Sequence, residues 1–290
     1  MPAVFDLLLS LPSPPSPNIF EIPEIFGLGP FPLRYYGLCI ALGIIAATWL
    51  TTKELARKGF EETLAVDSLF LIIPLGFIGA RAYHVITDYD LYQDDPFPAI
   101  FLVNNGGLGI YGGVVGGFLG LWIFCRVKGI STLAFADAIA PGLILAQAIG
   151  RWGNYFNQEL YGRPSKLPWA IEISSENRQS VPDKFADATI FHPTFLYESI
   201  WNLLGCFLLL YIARRFSGWL LNGDLMMIYV SFYSVGRFFV EALRIDPAFL
   251  IGGTIRGNLF VSSILALGFL MIVLLRHSRS TPRKRRPHAD

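Results

Sequence analysis

Charge is what this sequence has least of. Only 16% of its 290 residues are Asp, Glu, Lys or Arg, 53% are hydrophobic, and the mean hydropathy is +0.49. Soluble domains carry about 25% charged residues, so a soluble globular fold is excluded and a polytopic membrane protein is indicated. Cysteine is scarce too. Cys39, Cys125 and Cys206 fall inside apolar runs and lack the paired spacing of metal ligands, so neither a metal site nor a disulfide is expected. They are read as small apolar packing residues. No Lys or Arg precedes Arg34, so MPAVFDLLLSLPSPPSP lacks the basic flank of a cleaved signal peptide. Its PSPPSP stretch is expected to be a stiff, extended linker.

What the chain does have is long apolar runs. About 20 apolar residues cross a hydrocarbon core, and seven stretches qualify: about 35–52, 66–86, 108–125, 133–150, 194–213, 224–242 and 258–275. Basic residues follow the odd-numbered spans: Lys53, Arg57 and Lys58; Arg126 and Lys128; Arg214 and Arg215; then Arg276, Arg279 and the run RKRR at 283–286. The loop TDYDLYQDDPFPAIFLVNNGG after the second span contains none. The positive-inside rule therefore predicts an all-α integral membrane protein of seven transmembrane helices, N-terminus outside and C-terminus cytoplasmic. The expected organisation is an extracytoplasmic N-terminal arm over 1–33, a transmembrane domain over 34–275 and a basic cytoplasmic tail over 276–290. Within the membrane domain, 151–192 is expected to form an extracytoplasmic loop or small head region between spans 4 and 5. The basic tail is read as a topology anchor, not as a nucleic-acid surface.

With that topology the polar residues gather at one depth. Span 4 runs outward into GRWGNYFNQELYGR (150–163), which brings Arg151, Asn154 and Glu159 to the outer surface. Span 6 carries Tyr233, Arg237, Glu241 and Arg244 at i, i+4, i+8 and i+11, one helical face. Span 1 opens with Arg34, Tyr35 and Tyr36, span 3 with Tyr111, and span 5 with His192, Tyr197 and Glu198; span 2 ends with Arg81, Tyr83 and His84. Polar groups of six spans are thus expected to converge on the outer leaflet. Charge inside a bilayer is costly and faces a partner or a cavity. An intrahelical ion pair is one use of Arg237 and Glu241, but Arg81, Arg151, Arg237 and Arg244 outnumber Glu159, Glu198 and Glu241. Surplus guanidinium implies an anionic ligand, and phosphate suits the planar fork of arginine. An enzyme acting on an anionic lipid and a transporter or flippase for one both fit this. A transporter built from inverted repeats should show matching interrupted spans, and 150–163 has no second copy.

Glycines in LGIYGGVVGGFLG are spaced Gly112/Gly116 and Gly113/Gly117, two overlapping patterns that let a neighbouring helix approach closely. Gly106, Gly107 and Gly109, just ahead, also offer backbone N–H groups to an anion.

GRWGNYFNQELYGR closely resembles the signature segment of the bacterial prolipoprotein diacylglyceryl transferases, G-R-x-G-N-F-x-N-x-E-x-x-G. RYYGL at 34–38, GAR at 79–81, NGGLGIYGG at 105–113, HPTFLYE at 192–198 and GRFFVEALR at 236–244 extend the resemblance, in order, along nearly the whole chain. It implies an enzyme of the bacterial inner membrane, with its active site towards the extracytoplasmic leaflet. The implied reaction moves the diacylglyceryl group of phosphatidylglycerol onto the lipobox cysteine of a preprolipoprotein and releases glycerol phosphate. No cofactor is implied. Arg151 matches the family's phosphate-binding arginine, with Asn154, Glu159 and Gly162 as its companions. Arg237, Glu241 and Arg244 match the essential arginine of span 6 and its neighbours, and Tyr36 matches the tyrosine of span 1. Many members carry H-G-G where this chain has Tyr111 before its glycine pair.

The chemistry is attack of a thiol on an sp³ glycerol carbon, with a phosphate leaving. Arg151 and Arg237 are expected to hold the phosphate, with Asn154 and Tyr36 bonding the headgroup and Arg81, Tyr233 and Arg244 completing the substrate site. Glu241 and Glu159 rank ahead of Tyr111 as the base, because a phenol of pKa about 10 accepts a proton poorly at neutral pH. His192, counted in the substrate site, ranks last as the base, with a structural hydrogen-bond role as its alternative.

Overall fold

The computed structural model describes residues 10–24, 30–92, 107–178, 181–245, 250–251 and 255–279; the RKRR run and most of the loop after the second span lie outside them. Seven helices are long and apolar enough to cross a membrane: α1 (Tyr35–Arg57), α2 (Leu64–Thr87), α3 (Ile110–Lys128), α4 (Thr132–Asn157), α5 (Thr194–Arg215), α6 (Asp224–Leu243) and α7 (Gly257–Arg279). Each contains the apolar run expected from the sequence, apart from a residue or two at its ends. The largest difference is α4, which continues seven residues past 150 through RWGNYFN. Polar side chains there find partners, Arg151 on two other helices and Asn154 and Asn157 at Glu159, so nothing forces the backbone out of helical geometry.

The described residues form two compact units, one drawn from 1–47 and 140–290, the other from 48–139. In the second unit α2 and α3 pack through glycine. Gly112, Gly116 and Gly120 are buried at i, i+4 and i+8, and Cβ atoms there would press on the carbonyls of Gly79, Leu75 and Leu71. Missing side chains are what allow this backbone contact. The N–H of Gly109 is taken by Ala80 O at 2.9 Å, and Gly107 sits at φ +86°. Gly112→Ala is expected to force α2 and α3 apart, costing about 1–3 kcal/mol as overpacking. Gly268→Ala on α7, where nothing lies within 4 Å, is expected to be neutral. Thermal unfolding of the two variants in detergent checks this.

In the first unit α4 meets α1, where Gly43 lies against Ala146, and α6 meets α7 through the Ser231 Oγ–H donating to Ala266 O at 2.9 Å. The start of α6 is tied to the end of α7. Buried Asp224 takes Arg276 at 2.6 Å and His277 at 2.7 Å. Elsewhere the helices show large apolar side chains to the outside, such as Phe70, Ile86, Phe207 and Leu267, as hydrocarbon-facing helices do.

Short extended pieces accompany the helices. β1 (Asn18–Ile22) and β2 (Phe31–Arg34) pair antiparallel, and β2 runs straight into α1. Between α4 and α5, β3 (Ile171–Glu172) pairs with β4 (Ile190–Phe191), and further on β5 (Leu250–Ile251) pairs with β6 (Ile255–Arg256). The β3–β4 pair is the middle of a wider layer. Leu11 bridges to Ile171, Pro164 to Phe191 and Gly162 to Arg244. Ile171, Ile173, Phe191 and Phe195 form its buried core, with Leu11, Tyr161 and Ile245 packed around them.

The proline-rich stretch is extended, as expected, but it is fastened down along its length. Pro12 O accepts from Tyr155 Oη, Ser13 Oγ donates to Glu172 O, Pro14 O accepts from Gln158 Nε2, and Pro17 O accepts from the N–H of Tyr35. Prolines lack an N–H but keep a carbonyl, and those carbonyls do the fastening.

Candidate functional site

The polar face of α6 meets α4 and α5 in the first unit. Glu198, one turn into α5, is buried, and its two oxygens are divided between two helices: Oε2 lies 2.6 Å from Arg151 Nη2 and Oε1 lies 2.5 Å from Arg237 Nη1. Arg237 Nη2 also donates to Glu241 Oε2 at 3.0 Å, and Arg244 Nη1 stands 3.8 Å from that same oxygen. Tyr233 Oη accepts from Arg151 Nη2 at 3.2 Å. The result is a chain of alternating charge, Arg151–Glu198–Arg237–Glu241–Arg244. The Arg237–Glu241 pair expected from the i,i+4 spacing is present, but only as one link. Every guanidinium in the chain touches a carboxylate, and three cations face two anions.

Asn154 lies one turn beyond Arg151. Its Nδ2 donates to Glu159 Oε1 at 2.7 Å, while the Glu159 N–H donates to Asn154 O at 3.1 Å. This return is possible because α4 ends in a tight reversal, with Gln158 at φ +51° and Leu160 at φ +58°. Left-handed backbone at a residue with a side chain costs about 1–3 kcal/mol and needs outside support. Gln158 receives it: the side chain is buried, donates to Pro14 O at 3.4 Å and accepts from the N–H of Ser174 at 2.7 Å. Tyr36 lies against the same end of α4. A methyl at Gly153 would come 2.5 Å from its ring, and its hydroxyl interacts electrostatically with both Glu159 and Arg151.

Gly162 stands where three segments meet. Its N–H donates to His192 O at 2.9 Å, it bridges to Arg244, and a Cβ there would lie 2.9 Å from the Cβ of His192. His192 itself bonds Tyr197 Oη through Nδ1 at 2.9 Å. Burial pushes its imidazole below the ordinary value.

Arg81 and Tyr111 belong to the other unit. Arg81 is buried, donates to Gly107 O at 2.9 Å and lies 5.3 Å from the Tyr92 ring. Tyr111, in the first turn of α3, is 47% exposed, with its ring 5.8 Å from that of Tyr83.

Glu198 is the residue whose weight the sequence hid. It stood in HPTFLYE as one carboxylate among several, and only the packing of α5 between α4 and α6 makes it the bridge. Its spacing from buried Asn202, i to i+4, was the available signal. Gln147 and Tyr229 repeat the interval, four residues before Arg151 and Tyr233. A second polar layer thus lies one turn below the first.

Seven apolar helices around an arginine–carboxylate chain define a multi-pass membrane protein. The model of the family described as prolipoprotein diacylglyceryl transferase matches residues 23–275. A phosphatidylglycerol–prolipoprotein diacylglyceryl transferase of Corynebacterium glutamicum is 44% identical over 287 residues, covering 95% of this chain and 87% of its own length. The relative numbered 2 in Streptomyces coelicolor is 44% identical over 268 residues, covering 91% of this chain and 81% of its own. One from Mycobacteroides abscessus is 43% identical over 280 residues, covering 92% and 79%. The chain belongs to the prolipoprotein diacylglyceryl transferase family.

Proposed function

We propose that this protein transfers the diacylglyceryl group of phosphatidylglycerol to the lipobox cysteine of preprolipoproteins, the step of lipoprotein maturation that forms the thioether. The observation that carries the reading is the Glu198 bridge, which sets Arg151 and Arg237 side by side at fixed separation in a chain of this family. Each guanidinium has five N–H donors, and the bridge uses only part of them. The remainder bind the lipid phosphate, Arg151 and Arg237 from two helices and Arg244 from the end of α6. Asn154 and Tyr36 bond the headgroup. A groove of about 400 Å³ lined by Cys39, Leu42, Ile149, Trp152 and Phe156 adjoins Tyr36 and Arg151 in sequence and suits an acyl chain.

In the reaction the thiol sulfur forms a bond to the glycerol carbon, and that carbon's bond to the phosphate oxygen breaks. The electron pair leaves with the phosphate, where preorganised guanidinium groups stabilise the growing charge. The thiol proton goes to a carboxylate. Glu159 suits this better than Glu241, because Glu159 is exposed beside Tyr36, whereas Glu241 is 1% exposed and shares one oxygen between two arginines. Tyr111 is assigned a packing or hydrogen-bonding role. Tyr111→Phe is expected to slow transfer by about tenfold or less, against the 10²–10⁴ that loss of a general base produces, and Tyr111→His should be tolerated. Single-turnover rates check both.

The membrane is the bacterial inner membrane, with the site towards the extracytoplasmic leaflet. Supporting this, basic residues close α1, α3, α5 and α7, while the arginine–carboxylate chain lies at the opposite ends of its helices. The defining test incubates purified protein with labelled phosphatidylglycerol and a lipobox peptide. Thioether product with an equivalent of glycerol phosphate is expected; lipid uptake or translocation without thioether would replace the transferase reading with a flippase.

A further inference from the structure

The alternating charge chain does not stop at Arg244. Beyond it lies a cavity of about 190 Å³ lined by Arg163, Pro182, Lys184, Phe185, Arg244 and Ile245. Among the described residues that line it there are three cations and no carboxylate. The cavity is held by backbone. The Arg163 N–H donates to Leu243 O at 2.9 Å beside the Gly162–Arg244 bridge, and the Pro182–Phe185 turn is closed by the Phe185 N–H on Pro182 O at 2.8 Å. Lys184 Nζ is steered by the Phe185 ring, 4.9 Å away. Arg244 is buried whereas Arg163 and Lys184 are exposed, so the cavity runs from the end of the charge chain to the surface. Its volume equals roughly six waters at about 30 Å³ each. That accommodates a phosphate on a three-carbon head.

We propose that this cavity is a second anion site, specific for a phosphate monoester on a small polar head, and that it receives the glycerol phosphate released by transfer. The proposal rests on the transferase reading above. Transfer converts a phosphodiester into a monoester: the sulfur–carbon bond forms as the carbon–oxygen bond breaks, the thiol proton is taken by the base, and the pair of electrons stays on the phosphate. The diester carries one negative charge, and the monoester carries about 1.5 to 2 near pH 7. A site lined by three cations therefore prefers the more highly charged product over the substrate. The route is graded as well, because Arg244 is at once the last member of the charge chain and the first wall of the cavity.

The test uses the full-length protein and the variant Arg163→Gln/Lys184→Gln, which leaves the Arg151–Glu198–Arg237 bridge intact. Two quantities are read: inhibition of transfer by added glycerol phosphate, and direct calorimetric binding of glycerol phosphate and of inorganic phosphate without lipid. The expected result is saturable binding of both to the unsubstituted protein and an inhibition constant raised about tenfold or more in the variant, with KM for phosphatidylglycerol within about twofold. Lys184→Glu alone should weaken inhibition further than Lys184→Gln. A raised KM for phosphatidylglycerol with unchanged inhibition would assign the cavity to the lipid headgroup and overturn the proposal. Equal inhibition and binding in both proteins would also overturn it. Monoester binding that the variant loses, in a protein showing no transfer, would uphold the anion site and sink the transferase reading instead.

Discussion

Glu198→Ala is expected to lower kcat/KM for diacylglyceryl transfer by about 10²–10³, the size of effect seen when one preorganised charge-stabilising group is lost. The substitution leaves Arg151 and Arg237, 19% and 17% exposed, facing each other without the carboxylate between them. Breaking a buried ion pair by removing one partner costs about 3–5 kcal/mol, so the variant should also unfold at lower temperature in detergent. Glu198→Gln separates the two effects. The amide keeps the volume and one acceptor but turns its NH2 towards the other guanidinium, so stability should return only in part, while transfer should stay depressed because the two guanidinia are no longer held by a common charge. If either variant transfers at the unsubstituted rate, the bridge is a packing feature and does not organise the site. A double-mutant cycle of Arg151→Lys with Arg237→Lys, in the presence and absence of Glu198, should show coupling that disappears with the carboxylate.

The other large effect is at Arg151. Arg151→Ala should abolish transfer while the protein still inserts and folds. Arg151→Lys should remain impaired by about 10² or more, since a point charge on a flexible stem cannot replace the fork that engages Glu198, Tyr233 and a phosphate together. Full activity in the lysine variant would rule out bidentate phosphate recognition. Measuring kcat and KM separately sharpens the reading. Loss in kcat points to charge developing on the leaving phosphate, whereas loss in KM alone points to ground-state binding of the lipid.

The seven helices were legible because the requirement for about 20 apolar residues is nearly independent of context. The apolar run of α4 appeared to end at Gly150 because Arg151, Asn154 and Asn157 count against hydropathy. The helix continues because each of those side chains finds a partner: Glu198, Glu159 and Glu159 again. The arginines were legible as a group by their number and depth. Which carboxylate would bridge them was not, because that depends on how α5 is rotated between α4 and α6. The layer around β3 and β4 was invisible for a different reason. Pieces two residues long carry no alternation pattern, and their partners, such as Leu11 with Ile171 and Gly162 with Arg244, lie far apart along the chain. The proline-rich stretch was legible as extended, but nothing local in PSPPSP announces the carbonyl acceptors that tether it to Tyr155 and Gln158.

That tether sets an order on biogenesis. Leu11 leaves the ribosome early, yet its partners are Ala170 and Glu172, and the layer it completes is joined on its far side to Arg244. Such non-local pairing is slow to form because closure of the intervening chain comes first. Until the sixth helix has entered the bilayer, Gly162 lacks its bridge to Arg244 and Arg151 lacks Tyr233. A nascent chain stalled anywhere before residue 244 therefore carries the signature segment without a working site, and competence arrives as a single late event.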